Sequence, residues 1–201
     1  MDKSSYDYIF DILLCGFSCV GKSSILYRFI NGTYKGPLEG TIGFDWSSKV
    51  ISIQTIDNNE KKLKLKFWDS NGQERCLPFI FGCLRKFDFK AVVLVYDITN
   101  EDSFERLPIC VTHINNNGSE GLIKVLVGNN CGNEKKRKIS FEKGEEFARK
   151  NNMMFIETCP RLNINIDKLF TDLIKAIFDK EKNDPHSKPT LKNNPDEMSN
   201  E

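Results

Sequence analysis

Gly16-Phe17-Ser18-Cys19-Val20-Gly21-Lys22-Ser23 fits the spacing GxxxxGK(S/T), and it joins an apolar run, Ile9 to Cys15, to a helix-like run, Ser24 to Ile30. Two glycines allow a tight turn in which successive backbone N–H groups point inward at phosphate oxygens. A lysine at this spacing reaches terminal phosphates, and the following hydroxyl is suited to a hard divalent cation. The flanking pattern strengthens the reading, because a buried strand feeding a helix N-terminus places an anion where the N–H groups and the helix dipole favour it. Gly16, Ser18, Cys19, Val20, Gly21, Lys22, Ser23 and Ser24 are therefore candidate phosphate-cradle residues.

Working outward, Ala91 to Tyr96 and Leu122 to Val127 are apolar on both faces, as expected of central strands covered on each side. Met153 to Glu157 offers a further strand. Lys62-Leu63-Lys64-Leu65-Lys66-Phe67 alternates strictly, which marks a half-exposed strand, and Asp57-Asn58-Asn59 supplies turn chemistry for a hairpin with a strand around Val50 to Ile56. Ser140 is placed to cap a helix over Phe141 to Lys150. Leu169, Phe170, Leu173, Ile174, Ile177 and Phe178 form an apolar stripe at helical spacing, read as core. Strands alternating with helices imply an α/β, mostly parallel, doubly wound sheet whose ligand crevice lies at the strand C-termini. A single domain over 6–180 and a polar, disordered tail over 181–201 are expected.

The 201 residues carry 29 basic and 28 acidic side chains, a net charge of +1, so no global field attracts nucleic acid or an anionic membrane. The seven cysteines form an odd set without a CxxC pair, and no secretory signal precedes the first strand. Reduced thiols in a cytoplasmic protein are expected. No apolar run is long enough to span a bilayer.

Further segments narrow the chemistry. Thr41 stands 18 residues after Ser23 within Thr41-Ile42-Gly43-Phe44-Asp45, and the alternating strand runs into Trp68-Asp69-Ser70-Asn71-Gly72-Gln73-Glu74. With Tyr6-Asp7-Tyr8 and Val95-Tyr96-Asp97-Ile98-Thr99, these segments make the chain from about Tyr6 to Phe178 resemble the small GTPases of the Ras superfamily, most closely the Rab family. The resemblance implies a P-loop small-GTPase fold, a six-stranded sheet with one antiparallel strand and helices on both faces. It implies GTP and GDP as ligands, with Mg²⁺ held by Ser23, Thr41 and Asp69. Lys22, Gly72 and Gln73 would be the catalytic group, neutralising phosphate charge, contacting the γ-phosphate through an N–H and orienting the attacking water. Two loops, about 35–46 and 70–86, would change with the nucleotide and bind effectors, an exchange factor and a GTPase-activating protein. Ile42, Phe44, Trp46, Trp68, Phe79 and Leu84 would surround that surface, with core packing the equal alternative for the two tryptophans. A monomer acting as a switch in vesicle traffic is expected.

The base-reading segments depart from the family pattern. Where the family has NKxD, this chain has Asn129-Asn130-Cys131-Gly132, and where it has ETSAK, this chain has Glu157-Thr158-Cys159-Pro160-Arg161. Gly132 lacks the carboxylate that accepts two guanine donors, and Pro160 lacks an N–H for the guanine carbonyl. Each unpaired buried edge costs about 1–3 kcal/mol, enough to lower guanine affinity by a factor on the order of 100 to 10,000. Tyr34 remains as the aromatic at the base edge, and Asn129, Asn130, Cys159, Pro160 and Arg161 are candidate nucleotide contacts. Cys19 replaces a loop glycine, Asn71 replaces a small alanine, and Pro78 stands in a second loop about two residues longer than is usual, so slow hydrolysis is expected. No cysteine follows Cys159, and residue 2 is Asp, so no lipid anchor is evident and endomembranes would be reached only through partners. A degenerate GTPase acting as an interaction scaffold, or an ATP-using phosphate-loop enzyme, are the readings left beside the switch.

Overall fold

The computed structural model describes residues 6–36, 40–41, 43–54, 59–73 and 76–183. Within them β1 (Tyr8–Cys15), β2 (Phe44–Gln54), β3 (Glu60–Ser70), β4 (Phe89–Asp97), β5 (Ile123–Asn129) and β6 (Met154–Thr158) form one sheet in the order β2-β3-β1-β4-β5-β6. Neighbours from β3 through β1, β4, β5 and β6 pair parallel, and β2 pairs antiparallel on β3 at one edge. This is the expected α/β architecture, with five parallel strands and one antiparallel.

The central strands are buried because their side chains are apolar on both faces. Ile12, Leu13 and Leu14 of β1 and Val92, Val93, Leu94 and Val95 of β4 have no accessible surface. Parallel pairing then requires crossover helices, which cover both sides. The helices are α1 (Lys22–Asn31), α2 (Leu77–Lys86), the short α3 (Glu101–Glu105), α4 (Leu107–Asn117), α5 (Phe141–Lys150) and α6 (Ile166–Asn183). On one face α1 lies against α6, where the rings of Phe29 and Phe170 stack at 3.9 Å and both meet Phe67 of β3 edge-on. On the other face Phe104 of α3 packs edge-on to Tyr96 of β4 and to Phe147 of α5.

Local signals act as the sequence indicates at α5, where the Ser140 hydroxyl accepts the Lys143 N–H at 3.2 Å and caps the helix. The α6 stripe is core, with Leu169, Phe170, Leu173, Ile174 and Ile177 buried. The hairpin departs from expectation. β2 begins at Phe44 rather than near Val50, because antiparallel pairing carries from Phe44 opposite Ser70 to Gln54 opposite Glu60. The segments 35–46 and 70–86 are therefore loops only in part: 44–46 belong to β2, and Leu77–Lys86 is helix α2 with Pro78 in its first turn. Asp57 and Asn58 of the expected turn lie outside the described residues, as do Ile42, Glu74 and Arg75 of the two loops. So do residues 184–201, most of the segment read as a tail, whereas 181–183 are the last residues of α6.

Every strand that bears on the site is positioned by this packed core. Phe170→Ala removes a fully buried ring that holds α6 to α1 and β3, and it is expected to lower unfolding free energy by about 3–5 kcal/mol. Urea denaturation followed by circular dichroism measures that loss.

Candidate functional site

The phosphate loop leaves the C-terminal end of β1 at Cys15. Gly16 has φ 134° and a Cβ there would strike the Val95 carbonyl of β4, while Gly21 has φ 93° and one there would strike the Asn129 amide. Both close approaches demand glycine. Cys19 sits at φ 63° without that freedom, so the loop holds a non-glycine residue in the left-handed region. Asn129 closes the loop from the side: its Nδ2 donates to the Val20 carbonyl at 2.8 Å, and its Oδ1 accepts from Thr158 Oγ1 at 3.1 Å. A residue read from sequence as a nucleotide contact thus joins the loop to the ends of β5 and β6.

Lys22 begins α1, and its ammonium folds back over the loop, donating to the carbonyls of Gly16 at 3.0 Å and Phe17 at 2.9 Å. Its side chain is buried, with 5% of the residue exposed. Burial lowers the ammonium pKa from its ordinary value, with the Asp69 charge opposing. At the end of β3, burial raises the Asp69 carboxyl above its ordinary value, opposed by a Ser23 hydrogen bond and the Lys22 charge, while Asp45 adds to the rise. Asp69 Oδ1 is buried without a hydrogen-bond partner. Ser23 Oγ and Thr41 Oγ1 stand 3.2 Å apart beside it. Two hydroxyls and a carboxylate with an unpartnered oxygen form a hard-oxygen donor set of the kind Mg²⁺ takes, usually completing its shell with water and phosphate. This set therefore fits the metal that the sequence implies. Among the described residues no cluster of three or more His, Cys, Asp or Glu is arranged for a metal.

The second loop lies directly on the first. A Cβ on Gly72 would collide with the backbone of Phe17 and Ser18, so the missing side chain permits loop-on-loop packing. Open approach to a phosphate alone does not describe it. Asn71 is buried and engaged with both loops: its N–H donates to the Gly43 carbonyl at 2.9 Å, its Oδ1 accepts the Gln73 N–H at 3.3 Å, and its Nδ2 reaches Cys76 Sγ at 3.4 Å. Gln73 is exposed at the rim. Ser18, Cys19, Gly21, Lys22, Ser23, Ser24, Thr41, Gly72 and Gln73 line one pocket of about 500 Å³.

A second pocket of about 500 Å³ adjoins it, sharing Cys19, Gly21 and Ser24. It brings together Tyr34, Asn129, Asn130, Cys159, Pro160 and Arg161, all singled out in the sequence, and adds Asn133 and Lys136, which no motif marks. These two arrive through a 3₁₀ turn over Glu134–Lys136 that Arg137 holds in place. The Arg137 guanidinium spans both carboxylate oxygens of Glu157 at 2.7 Å and also binds Glu134, so Glu157 ties the turn to β6. Only Glu157 had a sequence signal. Val20 is buried behind the loop and lines neither pocket.

The aromatic surface divides. Trp46 and Trp68 face each other across the β2–β3 pair with ring centroids 3.6 Å apart, yet Trp46 is 61% exposed and Trp68 only 5%. Trp68 is enclosed by Phe87 and Phe89, and its indole N–H donates to Asp11 at 2.8 Å. Leu84 is also core, contrary to its expected place in the surface, whereas Phe79 is exposed and touches Phe44.

A phosphate loop, a hydroxyl and carboxylate cation site and an adjoining base-sized pocket, all on this sheet order, define a nucleotide-binding protein of the small-GTPase class. The chain belongs to the Ras family, whose profile matches residues 11–179. It is 37% identical to Ras-related protein Rab-10 of Caenorhabditis elegans over 95% of this chain and 92% of that protein. It is 39% identical to Ras-related protein Rab-8A of Gallus gallus over 96% and 93%, and 36% identical to Ras-related protein Rab-13 of Bos taurus over 87% and 82%.

Because Cys19 carries left-handed strain, Cys19→Gly is expected to raise unfolding free energy by up to about 1 kcal/mol, the αL penalty less the greater entropy of an unfolded glycine. Urea midpoints of the nucleotide-free proteins make the comparison.

Proposed function

We propose that this chain is a Rab-like nucleotide switch that binds GTP and GDP with Mg²⁺ and hydrolyses GTP slowly. The observation that carries the reading is the convergence of Lys22, Ser23, Thr41, Gly72 and Gln73 on one pocket at the C-terminal edge of the sheet, with the buried Asp69 carboxylate behind Ser23 and Thr41. Lys22, now satisfied by two loop carbonyls, neutralises phosphate oxygens. Ser23, Thr41 and Asp69 would hold the cation, whose charge would neutralise the terminal phosphates. A buried ammonium and a buried carboxylate are both disfavoured as charges until such partners arrive, so ligand binding relieves the site.

Gln73 stands at the rim, where its amide orients an attacking water. Slow turnover follows from Asn71, whose side chain fastens the Gln73 backbone and Cys76 and so restricts how the loop rearranges. The segments 35–46 and 70–86 carry the nucleotide state outward, and Trp46 and Phe79 give effectors and regulators an exposed aromatic contact beside them. Action in vesicle traffic at endomembranes, reached through partners, is proposed from the likeness to the Rab proteins. A second reading is favoured by one observation, the absence at Gly132 and Pro160 of groups that would read guanine: a nucleotide-bound scaffold with relaxed base choice.

Lys22→Ala is expected to weaken Mg²⁺-dependent triphosphate binding by about 100-fold or more, the loss of a charge-assisted contact. Titration with a fluorescent triphosphate reads it, and unchanged affinity would remove the phosphate assignment. Gln73→Leu is expected to slow single-turnover GTP hydrolysis at least about tenfold without weakening binding. Equal rates would leave the scaffold reading in its place.

A further inference from the structure

The spacing GxxxxGK leaves residue 17 open, yet Phe17 is where the lysine, the second loop and a distant helix junction meet. Its carbonyl accepts from the Lys22 ammonium at 2.9 Å, and its backbone occupies the space a Cβ on Gly72 would need. Its ring is buried, and the Arg106 guanidinium lies over it, 4.3 Å from the centroid. Arg106 belongs to neither nucleotide loop: it stands between α3 and α4. That junction is fixed by backbone. The Arg106 N–H donates to the Asp102 carbonyl and its own carbonyl accepts the Ile109 N–H, both at 3.2 Å, while Phe104 and Leu107 to either side are buried. The Asp102 carboxylate holds the guanidinium at 3.5 Å, and the Arg106 side chain is 30% exposed. The ring thus stands in for part of the water around the cation.

We propose that Arg106 is a positioning residue for the phosphate loop, acting through the Phe17 ring to set how Gly72 meets the terminal phosphate. The inference rests on the nucleotide-switch reading above and deepens it. A guanidinium is drawn to the negative face of an aromatic ring, and the attraction grows as water is excluded. Because the ring is buried and the Arg106 backbone is anchored on both sides, the pair restrains where the Phe17 backbone can lie. That backbone gives Lys22 a carbonyl and gives Gly72 its floor. Lys22 serves a diphosphate and a triphosphate alike, whereas the Gly72 N–H serves only the γ-phosphate. Loosening Phe17 therefore costs the triphosphate more than the diphosphate. The α3–α4 junction, remote in sequence from both loops, in this way biases the site toward its triphosphate form.

The test is a double-mutant cycle on the full chain, with Arg106→Ala, Phe17→Leu and the two together, read as dissociation constants for fluorescent GTP and GDP analogues with Mg²⁺. Each single variant is expected to weaken the triphosphate by about threefold to tenfold, the worth of a partly desolvated cation–π pair, and the diphosphate by less. The double variant is expected to bind no more weakly than the weaker single, because both substitutions remove the same contact. Unchanged triphosphate affinity in Arg106→Ala overturns the proposal. So does an equal loss for both nucleotides, which a general loosening of the fold would produce, and so do additive losses in the double variant. Each of these results leaves the nucleotide switch standing, whereas failure of wild type to bind either nucleotide overturns both. Arg106 is partly exposed, and the nucleotide ratio of Arg106→Ala decides by itself if a variant at Phe17 folds poorly.

Discussion

A lysine ammonium withdrawn from water and satisfied by two carbonyls of its own loop is the constraint around which this molecule is arranged. Lys22 can hold that position only if the loop turns sharply off β1, and the turn exists only because Gly16 and Gly21 let β4 and Asn129 approach its backbone. Asn129 in turn needs β5 and β6 in parallel register, so that the Thr158 hydroxyl can donate to its side-chain Oδ1. The buried core of β1 and β4 supplies the rigidity behind these contacts. One ammonium thus depends on four strands for its place in the loop.

The same loop is crowded from the other side. Gly72 packs on the backbone of Phe17 and Ser18, and Asn71 binds both Gly43, just before β2, and the residues that lead into α2. The two loops therefore meet through close backbone contact rather than through long flexible side chains. Beyond it lies the aromatic group of Phe44, Trp46, Trp68 and Phe79. Trp68 anchors the group in the core, while Trp46 and Phe79 remain exposed. Anchor and contact surface are thus two faces of one cluster. At the other end of the crevice, the Arg137 bridge to Glu157 fixes the turn that brings Asn133 and Lys136 to the second pocket, a link made across 20 residues of chain.

By itself the sequence determined the phosphate loop, the central strands, the Ser140 cap and the α6 core stripe. Each is a local pattern of glycine spacing, apolar periodicity or side-chain capping, and each carries its physics within a few residues. The grouping of the Ser23 and Thr41 hydroxyls with the Asp69 carboxylate was also legible, but through family spacing rather than through any one residue. Only the tertiary structure decided where β2 begins, because the alternation of Phe44-Asp45-Trp46 is short and is interrupted by Ser47-Ser48, so the segment is fixed as strand by its pairing with β3. It alone separated Trp46 from Trp68, which are alike in sequence and opposite in register, by placing Phe87 and Phe89 over one of them. It alone set Arg106 over Phe17: the loop spacing leaves residue 17 open, and what its ring meets depends on which distant turn folds against it.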